Sequence, residues 1–309
     1  MDLGFSKDAN PTAVPGSFCN YEFNFGYASS NAPDYPKLGQ TKGFLLIGVN
    51  FYKSFSSASA MSGDLLWTSK PQGSGAITTC PAPSTLKSGK FAGLKNSDGT
   101  QAFTPVPSIQ TDASTTGFIV ASSDIECPPT CGTGTLITVF TLKPSSTDPS
   151  VPRMARKGKS VTVAGFSPPP KAPQKGNTKT LDTLDGRLTH AISAVDPTIN
   201  KMVVWTSHTV AGGAGSELRW YELVPGTTVS VHQSGSVTDA SLFVYNGGVS
   251  PDRTCDGTQC AHGDSIVIGV TTSSSTALTT VQMVSKIGAG AQSALVSVKA
   301  ATVAERRPR

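Results

Sequence analysis

The chain has 309 residues and a formal net charge of +5, and charged residues make up only 15% of it. Glycine (31) and proline (22) are abundant, which disfavours long surface helices and favours strands joined by turns. No run of about 18 apolar residues occurs, so no membrane-spanning helix is expected. The basic residues are not gathered into an aromatic-studded groove, so nucleic acid is not the expected partner.

Taken from the start of the chain, the opening MDLGFSKDANPT has no basic segment followed by an apolar one, and no signal peptide is recognised in it. Short apolar or alternating runs rich in β-branched and aromatic residues then recur, with turn signals between them. These runs predict an all-β protein. They cover residues 43–52, 117–123, 135–142, 160–166, 201–210, 217–223, 228–235 and 265–275.

Four segments look like copies of one unit, in which a short strand passes through a turn into a longer apolar strand. The residue pairs at which the longer strand begins are Gly43–Phe44, Gly117–Phe118, Asn200–Lys201 and Gly263–Asp264. Such repetition favours a β-propeller of four-stranded blades, a single domain over residues 1–309 with about four to five blades. The alternative is two β-sandwich domains. Residues 144–180, rich in proline and lysine, would be a long loop in the first case and a linker in the second.

Six cysteines are present, an even number: Cys19, Cys80, Cys127, Cys131, Cys255 and Cys260. Proximity favours Cys127 with Cys131 and Cys255 with Cys260, which leaves Cys19 to pair with Cys80. A four-cysteine zinc site or unpaired thiols are the alternatives. Disulfides would place the protein in an oxidising compartment, and we therefore expect it to be secreted.

Two basic clusters stand out, RMARKGK over residues 153–159 and the terminal ERRPR. Each is read either as a solvated segment or as a patch for a polyanion.

From LDTLDGRLTHAISAVDP through VVWTSHTVAGGAGSELRWYELVP to VHQSGSVTDASLFVYNGGVSP, the chain resembles a group of largely uncharacterised secreted bacterial proteins with sialidase-like or related propeller folds. The resemblance implies a ring that either lacks its first blades or is smaller and closes differently. No Asp-box of the form S-x-D-x-G-x-T-W occurs, so sialidase activity is not implied.

In a propeller, ligands bind at the funnel on one end of the central channel. The repeat alignment predicts that this funnel is lined by polar and aromatic groups suited to a sugar. The ligand-binding candidates are Asp34, Tyr35, Asp112, Arg187, His190, His208 and Asn246.

Several candidates also have structural interpretations. Arg187 could pair with Asp182 or Asp185, and both histidines could be hydrogen-bonded strand residues. In ELRWYEL we expect an ion pair between Glu217 and Arg219, which alternate onto one face of a strand.

The predicted function is extracellular ligand binding, with a glycan as the partner. The alternatives are a glycoside hydrolase or lyase that uses funnel carboxylates, and an assembly protein that pairs through strand edges. The sequence leaves open whether the protein is an enzyme and makes no prediction of its oligomeric state. No cofactor or metal is expected, although Asp252 and Asp256 around CDGTQC offer a possible calcium site.

Overall fold

The protein is all-β in a computed structural model, and the single helical turn among the described residues is a 3-10 turn at Pro83–Thr85. The structure describes residues 1–12, 16–54, 56–57, 62–71, 77–112, 114–125, 132–252 and 265–304.

Four antiparallel groups of four main strands follow one another along the chain, and we call them sheets I to IV. Sheets I and III are the two halves of one continuous nine-stranded sheet. Sheet I contains β3 (Ala32–Gln40), β4 (Phe44–Tyr52), β5 (Ser62–Ser69) and β6 (Ser88–Phe91). Sheet II contains β7 (Ala102–Pro107), β9 (Gly117–Ser123), β10 (Gly134–Pro144) and β12 (Lys159–Phe166), with β11 (Pro152–Arg153) beside β10. Sheet III contains β15 (Leu188–Asp196), β16 (Lys201–Gly212), β17 (Gly215–Val224) and β18 (Ser230–Val237). Sheet IV contains β19 (Phe243–Pro251), β20 (Ile266–Ser273), β21 (Thr280–Lys286) and β22 (Val296–Ala300).

One further short strand and two small hairpins lie beside or between these sheets. The short strand β8 (Ile109–Gln110) pairs in parallel with both β3 and β15 and so joins sheets I and III by hydrogen bonds. An N-terminal hairpin is formed by β1 (Asp2–Ser6) and β2 (Phe18–Glu22). A second small hairpin, β13 (Ala172–Gln174) with β14 (Asn177–Leu181), lies between sheets II and III in the sequence.

The sheets stack face to face, because each buries one apolar face against the next. One core lies between sheets I and II, where Phe44 and Leu65 meet Phe140. A second core lies between sheets II and III, and a third, which holds Trp205 and Trp220, lies between sheets III and IV.

Strand β9 shows why some runs are apolar without alternation. Phe118 and Val120 belong to the core shared with sheet III, whereas Ile119 and Ala121 belong to the core shared with sheet I. Successive side chains of a strand point to opposite faces, so a strand buried on both faces needs apolar residues at every position.

The first strand of each sheet carries an interruption in its pairing near its beginning. In β3, β7 and β19 the interruption contains a residue in the left-handed region: Tyr35 at φ 54°, Thr104 at φ 47° and Asn246 at φ 49°. In β15 the register shifts between Leu188 and His190. A β-bulge therefore recurs near the beginning of the first strand of each of the four sheets.

The predicted starts of the longer strands agree with β4, β9 and β16, which begin at Phe44, Gly117 and Lys201. The fourth, Gly263–Asp264, lies outside the described residues. None of the sheets closes on itself within the described part of the chain, so the all-β class is established and the propeller stays a prediction.

The segment 144–180 differs from a simple loop or linker. It contains β11, β12, β13 and most of β14, and β12 is the outer strand of sheet II. The alternating sequence KSVTVAGF lies beside β10 along one edge, which explains how a segment flanked by prolines still forms a strand.

A disulfide joins Cys19 in β2 to Cys80, as predicted. The other four cysteines lie outside the described residues. The predicted ion pair between Glu217 and Arg219 is present, with 2.9 Å between the carboxylate Oε1 and the guanidinium Nε.

Candidate functional site

Three of the predicted ligand-binding residues meet at the bulged ends of β3 and β15. Arg187 Nη1 lies 3.9 Å from the Asp34 carboxylate, and its guanidinium carbon lies 4.4 Å from the centre of the Tyr35 ring. Lys37 Nζ lies 4.0 Å from the centre of the same ring. We call Asp34, Tyr35, Lys37, Asp185 and Arg187 the bulge-end cluster. It exists because the bulge in β3 turns Tyr35 toward the residue that precedes β15.

Arg187 is held rigidly within this cluster. Its Nε donates a hydrogen bond of 2.6 Å to Asp185 Oδ1, and its Nη2 donates to Asp185 Oδ2. Burial alone would lower the pKa of Arg187, but the hydrogen bond and the charge of Asp185 outweigh burial and raise it. The guanidinium of Arg187 therefore forms a two-bond ion pair with the Asp185 carboxylate. Asp185 is one of the two structural partners expected from the sequence.

The neighbouring side chains are also perturbed by burial. The pKa of the Tyr35 hydroxyl is raised by burial, and the pKa of Lys37 is lowered by burial and by the charge of Arg187. Because cations lie over the Tyr35 ring, a sugar could stack on that ring only where Lys37 or Arg187 leaves a face open.

Asn246 lies next to this cluster rather than in it. Its side-chain amide donates a hydrogen bond of 3.1 Å to the carbonyl oxygen of Asp182. It lines a small cleft of about 290 Å³ together with Lys179 and Asp182. The loop that contains Asp182 and Asp185 connects this small cleft to the bulge-end cluster.

The remaining predicted residues lie elsewhere. Asp112 accepts a hydrogen bond from the backbone of Val195, near the opposite end of β15 from Arg187. His190 follows the bulge of β15 and is half-buried, and its backbone carbonyl accepts a 2.7 Å hydrogen bond from Thr206. The seven predicted residues therefore do not form a single site.

His208 is completely buried. Its Nδ1 lies 2.9 Å from the carbonyl oxygen of Gly186 and its Nε2 lies 3.1 Å from the Tyr221 hydroxyl. A carbonyl can only accept, so Nδ1 carries the proton and Nε2 accepts from Tyr221. Burial lowers the pKa of His208 to about 4, so the ring is neutral near pH 7. This geometry gives His208 a structural role.

A larger cleft, of about 760 Å³, lies between sheets II and III, and we call it the basic cleft. Its cations are Lys143 at the end of β10, Arg153 in β11 and Lys159 at the start of β12. The other lining residues are Ser114, Thr116, Phe118, Thr141, Met154, Ala155, Met202, Pro225, Gly226 and Thr227. The volume lies within the range of small-molecule sites, which is about 300–1,000 Å³.

Two cations of the basic cleft lie opposite each other on neighbouring strands, although their charges repel. Lys143 and Arg153 are direct partners in the antiparallel pairing of β10 with β11. Like charges placed opposite each other on a sheet destabilise it. Neither cation forms an ion pair with any residue in the described ranges. This placement is suited to an anion that lies between the two cations.

Sequence reasoning identified only part of this cleft. The charge run over residues 153–159 was one of its signals, and it supplies Arg153 and Lys159. Lys143, Met202 and the turn at residues 225–227 are brought to it from other strands, and no local pattern marks them as partners.

Within the described residues, no helix is long and apolar enough to cross a membrane. Comparison of the chain with models of known protein families, with curated proteins and with solved structures finds no match.

Proposed function

We propose that this is an extracellular binding protein whose basic cleft holds an anionic glycan, a sugar chain with carboxylate or sulfate groups. The observation that carries the proposal is the cross-strand pair of Lys143 and Arg153, two exposed cations on the wall of a ligand-sized cleft. The extracellular assignment is supported by the disulfide between Cys19 and Cys80.

The chemistry of the cleft fits such a ligand. Lys143, Arg153 and Lys159 supply positive charge, and the hydroxyl groups of Ser114, Thr116 and Thr141 can bond to sugar hydroxyls. Phe118 and the two methionines, Met154 and Met202, add apolar carbon for the faces of a sugar ring. These are groups that hold an anion, whereas a glycosidase acts through a pair of carboxylates about 5 to 9.5 Å apart.

The proposal is tested by measuring the affinity for a carboxylated polysaccharide, polygalacturonate, and for neutral dextran by calorimetry. We expect polygalacturonate to bind and its affinity to fall as salt concentration rises, because exposed charges are screened. The double variant Lys143→Gln/Arg153→Gln should bind it about tenfold or more weakly, a loss of about 1.4 kcal/mol.

The matched control is Lys171→Gln/Lys175→Gln, which removes the same charge from exposed positions around β13, outside the basic cleft. It should bind as the wild type does. Equal affinity of the wild type and the Lys143/Arg153 variant, or equal binding of dextran, would overturn the proposal.

The bulge-end cluster is the second candidate site for the same function. It is favoured by the convergence of Asp34, Tyr35 and Arg187 and corresponds to the funnel of the expected propeller, of which sheets I to IV would be blades. If Arg187→Ala abolishes binding and the Lys143/Arg153 variant does not, the ligand is bound there.

Assembly through a sheet edge is a second candidate function. Strand β22 pairs only with β21, and all five of its residues are exposed, including Val296 and Val298. Exposed apolar edge strands can pair with another copy of the same chain. Light scattering should then show a dimer that Val298→Lys dissociates, and a monomer at all concentrations would exclude this function.

A further inference from the structure

Two buried acids and a histidine converge on sheet III, and none of the three lines the basic cleft or belongs to the bulge-end cluster. Asp196 ends β15, Glu222 lies in β17 and His232 lies in β18. One carboxylate oxygen from each acid and one ring nitrogen of His232 lie within 4.8 Å of one another. Both acids are almost fully enclosed, with 1% of Asp196 and 0% of Glu222 exposed, whereas His232 is exposed.

The turn that begins at Asp196 has the same hydrogen bonds as two other turns in the chain. Its Oδ1 accepts hydrogen bonds of 2.7 Å from the Thr198 backbone and 2.6 Å from the Thr198 hydroxyl. Asp148 makes the same two bonds to Ser150, and Asp98 makes them to Thr100. Asp98 is exposed and Asp148 is half-buried, so solvent can reach both acids, whereas Asp196 is buried.

The difference at Asp196 is its second oxygen. Oδ2 is buried and accepts no hydrogen bond, and Asp196 takes part in no ion pair with a described residue. Leaving a buried carboxylate oxygen without a partner costs free energy, and the local turn gains nothing from burying it. The enclosure of Asp196 therefore needs a cause that the turn itself does not supply.

The sheet register places Glu222 and His232 beside it. Glu222 is paired with Gln233 and Leu223 with Val231, so a register shift leaves His232 as an extra residue between them. Such a bulge re-aims a side chain. The Glu222 carboxylate also accepts a 2.8 Å hydrogen bond from Gln233 Nε2, which fixes its orientation. Two buried carboxylates this close are stable when a proton or a cation lies between them.

We propose that Asp196, Glu222 and His232 form a binding site for one divalent cation of the Zn²⁺ type. Imidazole nitrogens and carboxylate oxygens both bind Zn²⁺, and these three groups would supply three ligands and leave a fourth position to water. The imidazole favours a transition metal over Ca²⁺, which prefers oxygen ligands throughout. Bound Zn²⁺ lies about 2.0 to 2.2 Å from its ligands, so the set must tighten on binding. The exposed side chain of His232 can rotate to do so, and it gives the ion a path from solvent.

The role of such an ion is structural. It would tie the end of β15 to β17 and β18 and neutralise the two acids, and binding to the folded state alone raises stability. The site is separate from the calcium site considered around Asp252 and Asp256, of which Asp256 lies outside the described residues. It is also independent of the proposed glycan function.

The test uses the full chain after treatment with a chelator. Calorimetry with Zn²⁺ should show one ion bound per chain, with weak or no binding of Ca²⁺, and Zn²⁺ should raise the midpoint of thermal unfolding. His232→Gln changes an exposed side chain, so it should keep the metal-free unfolding midpoint of the wild type and bind Zn²⁺ at least tenfold more weakly. Glu222→Gln should weaken binding in the same way.

The control Asp98→Asn alters the same kind of turn at an exposed position and should bind Zn²⁺ as the wild type does. Co²⁺ separates this site from a cysteine site, because thiolate ligands add an intense charge-transfer absorption that carboxylate and imidazole ligands lack. The proposal is overturned if no Zn²⁺ binds or if the His232 and Glu222 variants bind it unchanged. It is also overturned if the wild type binds no metal and Asp196→Asn is more stable than the wild type. The two acids of the wild type would then share a proton instead of binding an ion.

Discussion

His208 lies in the middle of sheet III and has no exposed surface. Its ring meets the edges of Phe166 and Tyr221 at centroid distances of 4.7 and 5.6 Å, and both ring nitrogens have hydrogen-bond partners. A neutral imidazole satisfies this site, whereas a protonated ring would have no acceptor at Nε2 other than the Tyr221 oxygen. The surroundings therefore favour the neutral form of His208, and the stability of the folded protein depends on pH.

We expect the free energy of unfolding to fall as pH is lowered from about 7 to 4. Burial lowers the pKa of His208 from 6.5 to about 4 in the folded chain, so between these values the unfolded chain binds the proton that the folded chain excludes. Stability is then full above pH 6.5 and declines as pH falls, by about 3 kcal/mol in all. Urea unfolding at several pH values should show this slope in the wild type and a flatter one in His208→Gln. Equal slopes in the two proteins would contradict the assignment.

Arg187 illustrates how one residue type supports two interpretations. An arginine beside two aspartates in DTLDGR can bind a ligand or close a turn, and the sequence allows both. The structure shows that Asp185 takes its fork and that the Tyr35 ring packs on its plane. What the sequence could not show was the approach of β3, which is more than a hundred residues away along the chain.

At the scale of the strands, glycines allow sheet I to approach β7 closely. A Cβ atom added at Gly48 would lie 1.8 Å from the carbonyl oxygen of Pro105, and one added at Gly63 would lie 2.2 Å from the carbonyl oxygen of Ala102. The bulge at Thr104 pushes this part of β7 toward β4, and Asn50 holds it there with two hydrogen bonds of 2.8 Å. The close contact between sheet I and β7 therefore depends on both the glycines and the bulge.

Gly48→Ala should therefore destabilise the protein by about 3 kcal/mol, because the new methyl group forces β4 and β7 apart. Gly269→Ala is the matched control, since Gly269 also lies in a strand and a Cβ added there meets nothing within 4 Å. The control should change stability by about 0.5 kcal/mol or less, in the stabilising direction. Chemical unfolding measures both, and similar losses in the two variants would show that the close approach is not what matters.

At the scale of the whole molecule, several separate apolar cores between stacked sheets contribute to stability. The N-terminal hairpin packs on the outer face of sheet I, where Leu3, Phe25 and Tyr27 meet Ile47, Val49 and Leu66. This core is smaller than those between the larger sheets. A second small cluster around Cys19 and Tyr21 contains the disulfide between Cys19 and Cys80.

Removing that disulfide should loosen the hairpin more than the rest. The bond closes a loop with a sequence separation of 61, for which the chain-entropy model gives about 4 kcal/mol. In Cys19→Ala/Cys80→Ala we expect faster amide hydrogen exchange in β1 and β2, while the amides of sheet IV serve as an internal control. Equal acceleration in both regions would indicate that the whole stack unfolds as one unit.

The sequence by itself determined the all-β class and most strand positions, and it favoured the pairing of Cys19 with Cys80. These follow from local preferences, two-residue periodicity and the proximity of the other cysteines, all of which act over a few residues. It also indicated the repeat, because the longer strands begin with similar turns.

Only the tertiary structure decided which polar residues meet. The basic cleft joins Lys143 of sheet II to the turn at residues 225–227 of sheet III, and the acids Asp196 and Glu222 meet His232 across three strands. Each meeting depends on strand register, and a shift of one residue sends a side chain to the opposite face of its sheet. Register is set by bulges and by packing between sheets, which the pattern of residues along one strand does not contain.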